Sequence, residues 1–326
     1  GPVTGNLGLR YTRTRLRSEG TAPNLEAILI NADGTVEVPP AGPIAVTNEY
    51  EYWLPSLNLR WEAAPRFLVR LGLNRAMTRP DLGLLTPQTA INGLQQRISS
   101  QNPYVKPYLA NQADLSLEYY FGQAGIVSAA LFYKDVENFI ITRTTTETHT
   151  VNYEDGGTET LEFTRTAPDN GTSATVKGIE LATQLPLTFL PDPLNGFGLY
   201  GNLTLLDTSD VITQEGGELV PVTGVSNRSF TVGGYFERDG FGVRANYNWR
   251  SRYVVSQLAN YGDGSFTEPY GQLDLSASYA FNRNLSIRAD ASNVTHSIQE
   301  RTTNIGLLRN TFDYGRRFSA GVRLRF

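Results

Sequence analysis

The chain of 326 residues has no cysteine, one methionine (Met77), two histidines and only three lysines, Lys106, Lys134 and Lys177. Without cysteine there can be no disulfide framework, no thiolate metal site and no nucleophilic thiol, and an oxidising compartment would leave the chain unharmed. No run approaches the roughly 18 to 20 apolar residues of a membrane-spanning helix, which excludes a helical membrane protein. That test does not see a transmembrane β-barrel, whose strands alternate lipid-facing and lumen-facing residues and so average to a polar composition. An excess of positive charge is missing too. With 28 basic and 32 acidic residues the formal charge is −4, and no nucleic-acid partner is expected. No charged and apolar leader opens the sequence at Gly1, so it reads as a processed chain or a fragment.

What is present is period-two alternation. From Gln272 to Phe281 the apolar residues Leu273, Leu275, Ala277, Tyr279 and Phe281 alternate with Gln272, Asp274, Ser276 and Ser278. Leu285, Ile287, Ala289 and Ala291 repeat the pattern after the hairpin-sized link Asn282-Arg283-Asn284, and Phe241 to Arg250 shows it again. About twelve such strands can be traced, near 4–16, 48–62, 66–79, 106–121, 125–142, 174–189, 195–208, 226–237, 240–254, 269–281, 284–297 and 311–326. Their links alternate between tight turns, as at Gly122-Gln123-Ala124 and Arg238-Asp239, and long polar connections near 17–47, 80–105, 143–173, 209–225, 255–268 and 298–310. Short turns on one rim and long loops on the other are the topology of an outer-membrane barrel.

A soluble β-sandwich also alternates, but its strands average about five or six residues. Many runs here are nearer the nine to eleven residues, roughly, of a tilted bilayer strand. Aromatics gather at strand ends, as in Tyr119 with Phe121, Tyr247 with Trp249, and Tyr279 with Phe281, where interfacial girdles sit. The expected fold is therefore all-β, an antiparallel transmembrane β-barrel wall.

Several motifs carry a family resemblance. The last eight residues, Ser319 to Phe326, resemble the C-terminal assembly signal of bacterial outer-membrane proteins, with Gly321, Leu324 and Phe326 at its defining positions. Asn74-Arg75-Ala76-Met77-Thr78-Arg79-Pro80-Asp81-Leu82 resembles the S-R-T-L-T-R-P-D-L segment of TonB-dependent receptors. Asn102-Pro103-Tyr104-Val105-Lys106-Pro107-Tyr108, Val176-Lys177-Gly178-Ile179-Glu180-Leu181 and Gly315-Arg316-Arg317-Phe318 resemble further family segments in family order. The resemblance implies a bacterial outer-membrane location, a 22-stranded barrel of which about twelve strands lie here, and ligand import driven through TonB. It also implies dealings with the outer-membrane assembly machinery and with lipid and lipopolysaccharide. Nothing in the sequence matches the family's plug or TonB box, so strands 4–16 and 311–326 are not expected to pair with each other. No cofactor, metal or covalent chemistry is implied.

Parity assigns Arg10, Arg60, Arg70, Asp114, Glu118, Glu180, Arg244, Arg250, Asp274, Arg288, Asp290, Arg317 and Arg323 to the lumen side. For ligand contact, Arg79, Tyr104, Tyr153, Arg250, Tyr253 and Tyr261 stand on or near the long connections, together with Arg252 and Phe266. Aromatic faces beside guanidinium forks suit sugars, aromatic chelates or carboxylates. The motif set favours an oligosaccharide over a siderophore. Other classes remain: a self-contained twelve-stranded barrel acting as a hydrolase or protein-translocating pore, or a soluble binding module. The hydrolase would need His149 or His296 beside a nucleophile. Gly196-Phe197-Gly198-Leu199-Tyr200-Gly201 satisfies the dinucleotide pattern but runs into a strand, where no helix can receive a pyrophosphate. The connection from Thr144 to Ala167 alternates about Glu154-Asp155-Gly156-Gly157 and should be a hairpin standing above the membrane.

Overall fold

The computed structural model describes residues 1–326 except 34, 39, 94, 123, 210, 213–218, 221 and 257–263. Twelve strands form one antiparallel sheet. They are β1 (Val3–Pro23), β2 (Pro40–Ala64), β3 (Phe67–Thr78), β4 (Tyr108–Phe121), β5 (Gly125–Glu137) and β6 (Ala174–Pro186). The second half adds β7 (Phe197–Thr208), β8 (Arg228–Arg238), β9 (Phe241–Arg250), β10 (Tyr270–Ala280), β11 (Leu285–Ser292) and β12 (Arg317–Leu324). Each strand pairs with its neighbours in chain order. Alternate links therefore fall on opposite rims, and the tight turns share one rim while the long connections share the other. Among the described residues no ladder joins β1 to β12, which are the two edges of the sheet.

The register fixes what each face carries. Arg60 sits opposite Arg70, Arg70 opposite Ser116, Ser116 opposite Ala130 and Ala130 opposite Glu180. The same chain of partners continues through Thr204, Ser229, Arg250 and Tyr270, so the inward charges expected from parity share one face. The other face is apolar and uncovered: Leu7 is 82% exposed and Val322 67%. Rings cluster near its ends, with Tyr279 and Phe281 centroids 4.8 Å apart and Phe230 and Trp249 centroids 5.4 Å apart.

Strand ends depart from the alternation in both directions. β1 and β2 run on to Pro23 and back from Pro40, so much of the connection 17–47 is ladder. Conversely β9 stops at Arg250, and Tyr253–Ser256 joins Ser265–Thr267, Gln299–Thr303 and Leu308–Phe312 in a separate four-stranded sheet. β11 stops at Ser292 because Asn293 turns left-handed, at φ 55°, and β12 starts only at Arg317.

Above the long-loop rim stands a six-stranded sheet. Its centre is the hairpin Ile140–Tyr153 with Thr158–Asn170, whose turn is the Glu154–Gly157 tetrapeptide. Ile28–Ile30 adds to one side of it in parallel, and Arg97–Ser100 adds to the other. Three connections thus share a sheet with its own core of Ile28, Ile98, Val151 and Phe163, each no more than 1% exposed. Asparagines tie it to the segment leading into β4: Asn102 Nδ2 donates to the Pro168 carbonyl (3.1 Å) and Asn170 Nδ2 to that of Lys106 (3.1 Å), while Asn138 Nδ2, just past β5, donates to the Pro107 carbonyl just before β4 (3.2 Å).

Candidate functional site

On the inward face, directly beneath the long-loop rim, the upper ends of β7 to β10 and the loop before β8 line an open cavity of about 590 Å³. Its polar lining is Asn202 and Thr204 from β7, Ser226, Ser229 and Thr231, Asn248 and Arg250 from β9, and Tyr270 and Gln272 from β10. All but Ser226, which the loop before β8 supplies, share a face because they sit at alternate positions of strands in continuous register. Hydrogen bonds order them. Thr231 Oγ1 donates to Asn248 Oδ1 (2.8 Å), and the Tyr270 hydroxyl donates to Gln272 Oε1 (2.9 Å). Gln272 Nε2 in turn donates to Asp274 Oδ1 (2.8 Å) and Ser292 Oγ (3.1 Å).

Among the described residues Arg250 is the one charged residue of this lining, and it is both hydrogen-bonded and stacked. Its Nε donates to Ser226 Oγ (2.9 Å), its Nη2 donates to the Gly224 carbonyl (3.2 Å), and its guanidinium lies 3.9 Å from the Tyr253 ring centroid. Gly224 adopts φ 79°, a backbone that a side chain would strain. Two more guanidinium–ring pairs lie on the same loop cluster: Arg252 over Phe266 (4.1 Å) and Arg301 over Phe312 (4.8 Å). Arg252 also pairs with Glu268 (3.1 Å) and donates to the Thr303 carbonyl (3.0 Å).

Of the residues singled out from the sequence, Arg250 meets Tyr253 and Arg252 meets Phe266, while Arg79, Tyr104 and Tyr153 stand apart. Arg79 reaches Thr14 Oγ1 (3.0 Å) near the rim of β1. Tyr104 is exposed in the segment held by Asn102, whose Oδ1 accepts from the Tyr104 backbone N–H. Tyr153 belongs to the six-stranded sheet, where its hydroxyl donates to Glu159 (2.6 Å); that hydrogen bond raises the phenol above its usual pKa. Tyr261 lies outside the described residues. Sequence reasoning missed Ser226, Thr231, Asn248, Tyr270 and Gln272. The available signal for Thr231, Asn248, Tyr270 and Gln272 was inward parity shared with Arg250 and Asp274, whereas Ser226 lies in the loop before β8 and had none.

Among the described residues both histidines meet carboxylates and neither is paired with a hydroxyl nucleophile. His149 Nε2 lies 2.8 Å from Glu147, which also accepts from Arg165 (3.2 Å), and Arg165 Nε donates to Ser100 (3.0 Å). Burial pushes the Glu147 carboxyl up, but the hydrogen bonds from His149 and Arg165 outweigh it and hold that carboxyl below its ordinary range. His296 turns left-handed and meets Asp313 (3.1 Å), while its neighbours Thr295 and Ser297 bond each other (2.9 Å). The Gly196–Gly201 pattern runs from a short 3-10 turn into β7, with no helix after it. At the assembly signal, Leu324 pairs with Leu285 on the outward face, Phe326 is fully exposed, and a Cβ on Gly321 would meet nothing within 4 Å.

Comparison with known proteins gives this geometry its context. No curated protein matches the chain in sequence. Among solved structures it is similar to a variant of the ferric enterobactin receptor PfeA from Pseudomonas aeruginosa, at TM-score 0.64 and 19% identity, over 87% of this chain and 42% of that one. It is also similar to the siderophore receptor PirA from Acinetobacter baumannii, at TM-score 0.61 and 16% identity, over 87% and 43%. With the FrpB iron transporter from Neisseria meningitidis the TM-score is 0.59 at 13% identity, over 100% and 42%. The chain thus spans less than half the length of these proteins. The family model "TonB dependent receptor-like, beta-barrel" matches residues 1–294, and with the open wall, inward polar face and outward apolar belt in place, the chain belongs to the TonB-dependent receptor β-barrel family.

Proposed function

We propose that this chain is part of the wall of an outer-membrane receptor that captures a neutral, polyhydroxylated nutrient at its long-loop rim, with an oligosaccharide as the favoured ligand. The receptor would import that ligand with energy delivered by TonB, acting on segments outside this sequence. The observation that carries the ligand class is the lining of the cavity. Among the described residues its polar groups are amides and hydroxyls with one cation, Arg250, already stacked and hydrogen-bonded, and Leu206, Val225, Phe230 and Trp249 line the rest. Such a surface offers paired donors and acceptors that match sugar hydroxyls, whereas a multiply charged anion would need several free cations. The three guanidinium–ring pairs favour a second reading, an aromatic or carboxylate-bearing chelate resting on the loops.

Titration of the purified complete receptor with neutral hexasaccharides and, separately, with a ferric tris-catecholate distinguishes the two. The expected result is saccharide binding that weakens about tenfold in an Asn248→Ala, Gln272→Ala variant. Chelate binding without saccharide binding overturns the oligosaccharide reading. Outer-membrane β-barrel character holds in either case, since it follows from the family.

A further inference from the structure

The four-stranded sheet on the loop cluster repeats the order of the wall beneath it. Its strands run Tyr253–Ser256, Ser265–Thr267, Gln299–Thr303 and Leu308–Phe312, and short links join these to the upper ends of β9, β10, β11 and β12 in the same order. Both sheets therefore stop on the same side. Leu308–Phe312 pairs with Gln299–Thr303 on one flank. Among the described residues no ladder joins its other flank, just as none joins the outer flank of β12.

The turn that heads this free edge is apolar and exposed. Ile305 is 71% exposed and Leu307 62%, and Leu308, which opens the edge strand, is exposed with them. Hydrogen bonds hold the turn in shape. The Thr303 N–H donates to the Leu307 carbonyl (2.8 Å), the Gly306 N–H to the Thr303 carbonyl (3.1 Å) and the Leu307 N–H to Thr303 Oγ1 (3.1 Å), with Gly306 at φ 83°. At the other end of the strand Phe312 stacks with the exposed Tyr314 (6.4 Å), which carries the apolar surface down toward β12. Aliphatic side chains displayed on an ordered turn mark an interaction surface, and an unpaired strand edge beside them is a template for one more strand.

Chain direction says what covers it. β12 descends from the long-loop rim, so a strand that pairs with it antiparallel rises to that rim and emerges beside Leu308–Phe312, which also descends. Wall strands of this molecule already run on past the rim, since β1 and β2 keep one ladder as far as Pro23 and Pro40. The receptors of similar structure are more than twice as long as the part of them that this chain covers.

We propose that Leu308–Phe312 and the turn before it dock the strand that closes the complete receptor's wall against β12. Past the rim, that strand adds antiparallel to Leu308–Phe312 and lays apolar side chains on Ile305, Leu307 and Leu308. Main-chain hydrogen bonds supply the attachment and the aliphatic turn sets the register. The far strand of the same sheet carries Tyr253, stacked on Arg250 of the cavity, so this docking braces the rim where ligand is captured. The inference holds for either ligand class.

The test uses the complete receptor, with the heat-modifiable gel shift as the fold control. The photo-cross-linker p-benzoylphenylalanine is placed at Ile305 and, separately, at Leu307 in native outer-membrane vesicles, and the product is mapped by mass spectrometry. The expected product is an intramolecular cross-link to a segment outside residues 1–326. A cross-link to lipid, to a second polypeptide or only within these residues overturns the docking, and so does the absence of any product. Hydrogen exchange is the second arm. Amides of residues 308–312 should be as protected in wild type as those of 299–303, and should exchange about tenfold faster in Ile305→Asp/Leu307→Asp with the gel shift unchanged. Equal exchange in the two proteins overturns the proposal.

Discussion

In the twelve-stranded wall, Leu7, Leu9, Phe318 and Val322 leave two thirds or more of their surface uncovered, while in the sheet above it Ile28, Ile98, Val151 and Phe163 are no more than 1% exposed. Both regions are antiparallel in most of their ladders and both alternate. They differ in where the apolar half of the alternation goes. The wall turns it outward, to a solvent of acyl chains. The upper sheet turns it toward a small core closed by Leu25, Ile30, Val36 and Leu161, as a water-soluble protein does. One sequence rule therefore serves two solvents, and the boundary between them is marked by the asparagine ties at residues 102, 138 and 170. The inference is that each region can be damaged without the other.

The largest separation should come from the upper core. Phe163→Ala should cost about 3–5 kcal/mol locally, opening residues 139–171 to protease while the inserted wall keeps its heat-modifiable gel mobility. Loss of insertion in that variant would mean that the two regions fold as one. The converse substitution, Leu181→Arg on the lipid face of β6, should cost roughly 2–4 kcal/mol at the bilayer midplane and less near its edges. It should cut the amount inserted while leaving proteolysis of the upper hairpin unchanged in the molecules that do insert. Phe326→Asp belongs to the wall but sits at the opposite rim from the loops. It should lower inserted receptor in membrane fractions far more than ligand binding per inserted molecule, and normal insertion with lost binding would show the strand to be misread.

The smallest effect is a titration. Glu147 has a depressed carboxyl pKa in the folded sheet. Its contribution to stability is therefore present above the unfolded carboxylate value of about 4 and is lost as pH falls through the folded value. Amide protection across residues 140–170, corrected for the intrinsic exchange rate at each pH, should fall in acid below about pH 4 in wild type. It should be less pH-dependent in Glu147→Gln, with the wall strands unaffected in both.

The wall was largely legible because lipid and lumen impose strict alternation, and twelve strands in sequential order follow from link lengths alone. The hairpin tip was equally legible, since Asp155-Gly156-Gly157 announces a turn between alternating runs. The parallel pairing of Ile28–Ile30 with Val151–Tyr153 was not. It joins three-residue segments more than a hundred positions apart, too short to carry periodicity. Tyr253 was read as the continuation of β9 because alternation persists across Ser251 and Arg252, although pairing changes partner there. The cavity was hidden for a different reason. Asn248, Thr231 and Gln272 look like any lumen-facing polar residue until the register sets them side by side.

The two edges of the wall carry a consequence for how such a molecule is made. Each presents a row of backbone amides and carbonyls on β1 or β12 with no ladder partner in this sheet, and hydrocarbon charges several kcal/mol for each group left unbonded. A sector of barrel is thus a poor lodger in a bilayer, however apolar its outer face. Insertion has to wait for closure or be chaperoned by another strand edge. Biogenesis of the complete receptor should accordingly run as a single late event, and a truncated wall should accumulate in the aqueous space, exposed to quality-control proteases.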